Sequence, residues 1–265
     1  MEWYFAYLLL GGFVGFFAGL FGIGGGLVMV PVLSFLFDAQ QLGGAQNLHL
    51  ALGTSMASII YTSVSSARTH YMHGAVNMHI VRNLTPGLLL GTLIGAMLAS
   101  SASQFYLVIF FALFVYFAAV QMLLELKPKA TRQLPGRFGL TIAGCFIGAV
   151  SSLVSIGGGT LSVPFMLWHN TPFKQAIGTS AALGFPIAIG GTVGYISTGL
   201  VLHTLPGGTI GFIYLPALLM IAVGSTFTTT LGAKAAHKMP LKQIRRGFAV
   251  LLFALATKML LNAFA

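Results

Sequence analysis

Four long stretches of the chain contain no charged side chain, and they limit what the sequence can fold into. No Asp, Glu, Lys or Arg occurs within residues 3–37, 83–124, 138–173 or 175–233. About 18 consecutive apolar residues can form a membrane-spanning helix, and each stretch holds at least one such run. Only 6% of the residues are charged and 57% are hydrophobic, whereas soluble domains carry roughly 25% charged residues. The sequence therefore predicts an all-α polytopic protein that lies in a lipid bilayer.

Two segments resemble each other and indicate an internal duplication. Residues 11–36 read GGFVGFFAGLFGIGGGLVMVPVLSFL, and residues 143–168 read AGCFIGAVSSLVSIGGGTLSVPFMLW. Each segment contains a glycine triplet followed by proline at the same spacing. A Gly-Thr-Ser triplet then follows in the same order in each half, at residues 53–55 and 178–180. Ordered matches of this kind are the signature of a repeated structural unit.

The duplication divides the chain into two transmembrane repeats. We place the first repeat at residues 1–126, a basic linker at 127–137 and the second repeat at 138–265. Each repeat holds five apolar segments, predicted at 3–22, 24–37, 48–70, 77–100 and 104–125, and at 138–156, 158–169, 174–198, 210–236 and 241–263. The second segment of each repeat is short and contains Gly and Pro, so the number of membrane crossings stays open at roughly eight to ten.

The distribution of Lys and Arg predicts the orientation in the membrane. The sequence has 13 Lys and Arg against 3 Asp and Glu, and basic loops face the cytoplasm. With an external N-terminus, every Lys and Arg except Lys258 lies on the cytoplasmic side of a bacterial-type plasma or inner membrane. Because each repeat makes an odd number of crossings, the second repeat is then inverted and the C-terminus is also external. The basic residues lie in short connections, which disfavours nucleic acid as a partner.

The paired glycine triplets are the first candidates for a substrate site. They are Gly24, Gly25 and Gly26 in the first half and Gly157, Gly158 and Gly159 in the second. In transporters built from inverted repeats, the site lies near the midplane, at broken helices whose N-termini face the substrate. Such N-termini bind anions through unpaired N–H groups and the helix dipole. The alternative is close helix packing, but two triplets at equivalent positions favour a substrate pathway.

The Gly-Thr-Ser triplets supply hydroxyl groups within otherwise apolar segments. Thr54, Ser55, Thr179 and Ser180 are predicted to contact the substrate, together with Thr160 beside the second glycine triplet. The alternative is that each hydroxyl donates to the carbonyl one helical turn back, and the sequence leaves this open. Since Ser155 and Thr160 accompany the second triplet, we expect the second half of the pathway to be the more polar one.

The placement of charge favours an anion as substrate. The acidic residues Glu2, Asp38 and Glu125 all lie at predicted membrane edges, so no carboxylate is available to coordinate a cation within the membrane. Arg68 and His70, near the inner end of the third segment, could attract an anion, although Arg68 is also explained as a topology residue.

Catalytic and metal-binding patterns are weak in this sequence. The histidines of one connection, His70, His73 and His79, have no HExxH spacing and no Cys or carboxylate beside them, so no metal site and no cofactor are predicted. The sequence lacks a GxSxG motif, and we do not expect an enzyme.

The IGGG-x(4)-P segment of each half, followed by a Gly-Thr-Ser helix, resembles the sulfite exporter TauE/SafE family of membrane permeases. The resemblance covers nearly the whole chain. It implies transport of sulfite, thiosulfate, an organosulfonate or a related sulfur anion. The inverted repeats favour alternating access between the halves, and an inside-negative membrane potential favours export of an anion. The family often carries an acidic residue where this sequence has Asn77, so a role of that acid in gating or proton coupling is not carried over.

Two other hypotheses about the function stay open. One is a passive anion channel with the same central pathway. The other is an intramembrane enzyme or a scaffold subunit. No motif specifies a dimer face, so the oligomeric state is left open as well.

Overall fold

The structure, a computed structural model, describes residues 2–22, 24–124, 133–202, 205–236 and 241–264, with all of their side chains except those of 241 and 242. Ile23 of the first glycine motif and most of the predicted basic linker lie outside the described residues. The described residues form these ten α helices: α1 (Glu2–Phe21), α2 (Gly26–Ala39), α3 (Asn47–Met72), α4 (Met78–Ser101), α5 (Gln104–Leu123), α6 (Arg137–Leu153), α7 (Gly159–Trp168), α8 (Phe173–Gly199), α9 (Leu215–Ala236) and α10 (Leu241–Phe264).

The helices have the lengths and surfaces of a membrane protein. Six described helices are long and apolar enough to cross a bilayer by length and composition, namely α1, α4, α5, α8, α9 and α10. Helices α2 and α7 have 14 and 10 residues and are too short to span it regularly. Large apolar side chains such as Phe138 (80% exposed) and Phe227 (76% exposed) cover the outside of the bundle, as expected where lipid replaces water. The predicted all-α polytopic class is confirmed.

The predicted segments agree with the helices to within a few residues, with one exception. The segment predicted from residue 210 begins as helix α9 only at Leu215, because residues before it form the short antiparallel strands β1 (Thr209–Ile210) and β2 (Ile213–Tyr214). Gly208 and Gly211 take positive φ values of 83° and 54°, which only glycine adopts without strain. Because this hairpin is mostly apolar, its sequence does not distinguish it from the start of the helix that follows.

Rows of glycine bring the first helix of each half against the fourth helix of the other. Along α1 and α9, which run parallel, the close contacts are Gly11 with Ile221, Gly15 with Ser225 and Gly19 with Thr229. Along α4 and α6, also parallel, they are Gly87 with Thr141, Gly91 with Cys145 and Gly95 with Ala149. At each of these glycines a Cβ atom would overlap the facing helix. Small residues four apart therefore let the helix backbones touch, as in many membrane proteins.

Helices α3 and α8 form the antiparallel centre of the bundle. Gly184 of α8 faces Ser63, and Gly191, further along α8, faces Met56 earlier on α3. Helices α5 and α10 are antiparallel too, since the Phe105 and Phe264 rings lie 5.5 Å apart and Tyr116 contacts Phe253. Helices at corresponding positions of the two halves thus run in opposite directions where they meet.

Most of the described basic side chains lie at one end of the bundle, and the described acidic side chains lie at the other. The basic end is where α3 and α9 finish and α4, α6, α8 and α10 begin, and it carries Arg68, Arg82, Arg137, Lys174, Lys234, Arg245 and Arg246. Contacts such as Arg245 over the Phe173 ring, at 5.2 Å, tie these helix ends together. The opposite end, which we call the acidic end, carries Glu2 and Asp38. Lys258 also lies toward the acidic end, above the Phe35 ring at 4.6 Å.

Candidate functional site

Two helical hairpins enter the bundle from opposite ends and meet inside it. Helix α1 starts at the acidic end and α2 returns there, since the Tyr7 ring lies 6.3 Å from Phe37 and Gln40 Nε2 donates to the Tyr7 hydroxyl. Helix α6 starts at the basic end, and α7 returns to the start of α8. At the two tips, a Cβ atom on Gly24 would lie 2.8 Å from both N and Cα of Gly157. The two glycine triplets are therefore in contact.

The first tip turns on glycine, as the sequence predicts. Gly24 and Gly25 have φ values of 75° and 80°, in the left-handed region where a side chain is strained. A Cβ atom on Gly25 would also overlap the Val14 side chain. This tip thus needs glycine for its backbone conformation and for the space that Val14 fills.

The second tip turns differently from the first. Gly158 has an ordinary helical φ of −59°, and the left-handed residue is Ser155, with φ 45°. The Ser155 hydroxyl donates to the Leu52 carbonyl oxygen at 2.6 Å, which anchors the strained residue to α3. The sequence predicts the break at the glycine triplet, whereas in the structure Ser155 makes the turn.

Both short helices begin where the tips meet. Helix α2 begins at Gly26 and α7 at Gly159, and a Cβ atom on Gly26 would overlap the carbonyl oxygen of Ser155. The first N–H groups of a helix have no partner within it, and its N-terminal end carries a partial positive charge. The positive ends of α2 and α7 therefore converge inside the bundle, an arrangement suited to an anion.

The threonines of the Gly-Thr-Ser triplets hold connecting segments. Thr54 Oγ1 accepts a hydrogen bond from the Tyr214 N–H at 2.9 Å, and Thr179 Oγ1 accepts one from the Asn77 N–H at 2.9 Å. The glycine before each threonine packs against the backbone of the same connecting segment: Gly53 contacts Phe212, and Gly178 contacts Ala75. These contacts account for Gly-Thr in both triplets without a substrate.

The two serines of the triplets differ in their hydrogen bonding. Ser180 Oγ donates to the Ile177 carbonyl oxygen at 2.8 Å, which is the local alternative that the sequence left open. Ser180 lies between the two breaks, since its Oγ is 3.2 Å from a Cβ built on Gly22 and its carbonyl oxygen 2.9 Å from one built on Gly158. Ser55 Oγ and Thr160 Oγ1 are buried and have no hydrogen-bond partner among the described residues.

A small cavity beside the first tip, which we call the central cavity, contains hydroxyls that the sequence did not predict to be part of the site. It is lined by Ala18, Gly22, Gly24, Thr62, Ser63, Ser66, Ala181 and Gly184. Its volume is about 10 Å³, the space that the centre of one water molecule needs. All three hydroxyls come from α3, in the first half of the chain, whereas the sequence directed attention to the hydroxyls beside the second tip. The four-residue spacing of Thr62 and Ser66 places both hydroxyls on one face of α3, and this pattern could have predicted their place in the site.

Arg68 and His70 follow this cavity at the basic end of α3. Arg68 is exposed and lies two positions beyond Ser66, whereas His70 is 1% exposed. Neither residue lines the cavity. In the part of the chain that the structure describes, no group of three or more His, Cys, Asp or Glu side chains could hold a metal ion.

Toward the acidic end, the contact between α3 and α8 is closed. Atoms of the Met56 side chain occupy the notch at Gly191, where a Cβ atom would lie 2.8–3.0 Å from them. Tyr195, one turn further along α8, is fully buried and donates its hydroxyl to the Ser152 carbonyl oxygen at 2.9 Å. The central cavity therefore lies on the basic side of a packed apolar layer.

A larger cavity of about 770 Å³ opens at the acidic end. Ends of α2, α3, α4, α5 and α10 surround it, with a polar lining that includes Ser34, Asp38, Gln46, His49, Ser100, Gln104 and Asn262. It shares no lining residue with the central cavity, so the two are separate spaces in this structure.

Comparisons with a protein family and with individual proteins find similarity along most of the chain. The model of the sulfite exporter TauE/SafE family matches residues 7–259. A "Probable membrane transporter protein" of Haemophilus influenzae is 38% identical over 256 residues, covering 96% of this chain and 97% of that protein. The "Probable membrane transporter protein YdhB" of Bacillus subtilis is 28% identical over 234 residues, covering 86% of this chain and 88% of that protein. No solved structure matches.

Proposed function

The chain belongs to the sulfite exporter TauE/SafE family of membrane transporters, and on that premise we propose that it carries a small sulfur-containing anion such as sulfite, thiosulfate or an organosulfonate. The observation that carries the proposal is the contact between Gly24 and Gly157, which brings the N-terminal ends of two short helices together. The geometry of the two helix N-termini supports a negatively charged substrate, and membership of the family supports a sulfur-containing one.

The surroundings of the two tips support an anion on electrostatic grounds. Helix N-termini and hydroxyl groups donate hydrogen bonds, and the residues that line the central cavity include no carboxylate. The described acidic residues, Glu2 and Asp38, lie at the acidic end of the bundle. A dehydrated anion would therefore meet donors and a positive potential there, without an opposing negative charge.

For the mechanism, we propose alternating access between two inverted repeats, residues 1–126 and 138–265. The antiparallel contacts of α3 with α8 and of α5 with α10 support this arrangement. So does the exchange of partners, in which α1 packs on α9 as α6 packs on α4. Two halves of this kind can rock about a fixed central site.

We further propose that the basic end faces the cytoplasm of a bacterial-type inner membrane, which leaves both termini outside. The collection of the described Lys and Arg side chains at one end, with Lys258 as the exception, supports this orientation. An inside-negative potential of 100 mV drives an anion outward by about 2.3 kcal/mol per charge. Export is therefore the proposed direction.

Flux measurements on purified protein in liposomes test the proposal. We expect saturable uptake of labelled sulfite, thiosulfate or isethionate, acceleration by the same anion on the opposite side, and no comparable flux of chloride or in protein-free liposomes. A passive anion channel would conduct without trans-acceleration, and the closed packing at Met56 favours the transporter. Absence of flux for every sulfur anion tried would reject the substrate class.

A further inference from the structure

We propose that Thr62, Ser63 and Ser66 of α3 form an anion-binding subsite on the basic side of the glycine tips, where the substrate is loaded before it reaches them. The inference rests on the proposed function, because it adds a position along the same pathway. The three hydroxyls lie around the central cavity together with Gly22 and Gly24 of the first tip.

The hydrogen-bonding state of these hydroxyls points to a ligand. Ser66 is 3% exposed, and its Oγ has no hydrogen-bond partner among the described residues. A buried hydroxyl left unpaired is costly, so a water molecule or a substrate oxygen in the cavity would complete its hydrogen bonding. Thr62 and Ser63 donate to carbonyl oxygens of their own helix, at 3.2 Å to Ile59 and 3.0 Å to Ile60. Rotation about the Cα–Cβ bond can release such local bonds to a ligand.

The charge around the cavity selects an anion over a cation. Gly24 connects the cavity to the N-terminal end of α2, whose dipole is positive there. Arg68, two positions after Ser66 on α3, is exposed and adds positive charge at the basic end without lining the cavity. Since no carboxylate lines the cavity, the hydroxyls act as donors to a negatively charged oxygen.

The cavity has walls that allow it to widen. The side that faces the hydroxyls consists of Ala18, Ala181 and Gly184, and small side chains let neighbouring helices slide or separate with little loss of packing. At about 10 Å³ the cavity has room for one water molecule and is too small for a sulfur oxyanion in this structure. Separation of α3 from α8 at the basic end would make room for a sulfur oxyanion.

The subsite has no counterpart in the second half. Aligning the two Gly-Thr-Ser triplets places Ile187, Ala188 and Gly191 of α8 at the positions of Thr62, Ser63 and Ser66. None of these carries a hydroxyl, and the space at Gly191 is filled by Met56. The equivalent position on the acidic side of the tips is therefore apolar, which fits loading of the anion from the basic end.

Transport kinetics give the first test, with matched serine substitutions on one helix. We expect Ser66→Ala to raise the KM for sulfite about tenfold, the scale of one hydrogen bond to a charged group, with little change in the rate at saturation. Ser58→Ala is the control, since Ser58 is fully buried, donates to the Thr54 carbonyl oxygen at 2.8 Å and does not line the cavity. Equal KM values for the two variants would overturn the subsite.

Thiol labelling gives a second test that needs no substrate. The single native cysteine, Cys145, is replaced by serine, and Ser66→Cys or Ser58→Cys is added. Purified protein is treated with the anionic ethylsulfonate or the cationic trimethylammonium methanethiosulfonate reagent, each rate being divided by that of a free thiol. We expect Ser66→Cys to prefer the anionic reagent severalfold and Ser58→Cys to react slowly with both.

The two tests separate the subsite from the proposed function. An unreactive Ser66→Cys, or one that prefers the cation, would overturn the subsite even if sulfite is transported. Preference for the anionic reagent in a protein that moves no sulfur anion would leave the subsite standing and reject the substrate class.

Discussion

The backbone N–H of Asn77 donates a hydrogen bond to the hydroxyl oxygen of Thr179, with 2.9 Å between nitrogen and Oγ1. The Asn77 side chain meanwhile accepts from the N–H groups of His79 and Ile80 at the start of α4. The other half repeats the arrangement, with the Tyr214 N–H donating to Thr54 just before α9. Each Gly-Thr pair thus fixes the first residues of a helix that belongs to the opposite half.

We expect Thr179→Val to destabilise the protein by about 1–2 kcal/mol, because the N–H of the half-buried Asn77 loses its acceptor while the side-chain shape is kept. Thr54→Val should lower the stability by a similar amount, because the Tyr214 N–H loses its acceptor. Unfolding in detergent, followed by circular dichroism, measures the change. The control is Thr226→Val, an exposed residue whose hydroxyl bonds only within α9. Equal stabilities of the Thr179 and Thr226 variants would contradict the anchoring role.

Asn77 itself gives the second prediction. Its side chain caps α4, and Asp caps helices as well as Asn does, with an added favourable interaction with the helix dipole. Asn77→Asp should therefore keep the stability of the fold, whereas Asn77→Ala should lower it by about 1 kcal/mol. Thermal unfolding of both variants measures the difference, and an aspartate variant as unstable as the alanine variant would show that capping is not what this position provides.

Gly25 and Gly158 should respond differently to alanine, although the sequence treats them alike. Gly25 has φ 80° and its Cβ position is filled by Val14, whereas Gly158 has φ −59° and a Cβ position 2.9 Å from the Ser180 carbonyl oxygen. We expect Gly25→Ala to cost at least about 1–2 kcal/mol for the left-handed backbone, and Gly158→Ala to fold and lose transport rate. Stability and sulfite flux are measured on both proteins. A Gly25→Ala protein with native stability would contradict the tip conformation.

A structural feature could be predicted from the sequence where residues close together in the chain determine it. Long apolar runs and the paired glycine triplets are local, so the helices and the break at Gly24 could be predicted. The turn at Ser155 could not, because its strained backbone is supported by a hydrogen bond to Leu52, distant in the chain. The roles of Thr54 and Thr179 depend on segments of the opposite half, which only the packed structure brings to them. That the glycine tips hold the substrate stays a prediction.

Helix contact through glycine gives the fourth prediction. Gly15 touches Ser225 on α9 and Gly91 touches Cys145 on α6, and in both places a Cβ atom would overlap the neighbouring helix. We expect Gly15→Ala and Gly91→Ala each to cost about 1–3 kcal/mol, the range for overpacking in a core. Gly247→Ala is the control, because a Cβ atom there meets nothing within 4 Å and alanine favours the helix. If all three variants melt at the same temperature, close backbone contact is not what these glycines provide.

The last prediction concerns the closed side of the pathway. Met56 is fully buried and fills the notch at Gly191, between the central cavity and the acidic end. Truncation in Met56→Ala removes this plug, so we expect passive sulfite flux to rise severalfold and trans-acceleration to weaken. Liposome flux with and without sulfite on the opposite side measures both effects.

Stability must be separated from sealing in this experiment, since truncating a buried methionine to alanine costs about 2–5 kcal/mol. Met56→Leu keeps the volume, should cost less than about 1.5 kcal/mol and should preserve the seal. Met97→Ala, on a side chain that is 57% exposed, controls for the loss of a methionine as such. A Met56→Ala protein that folds and keeps full trans-acceleration would place the barrier at another layer, with Tyr195 and its bond to Ser152 the next position to truncate.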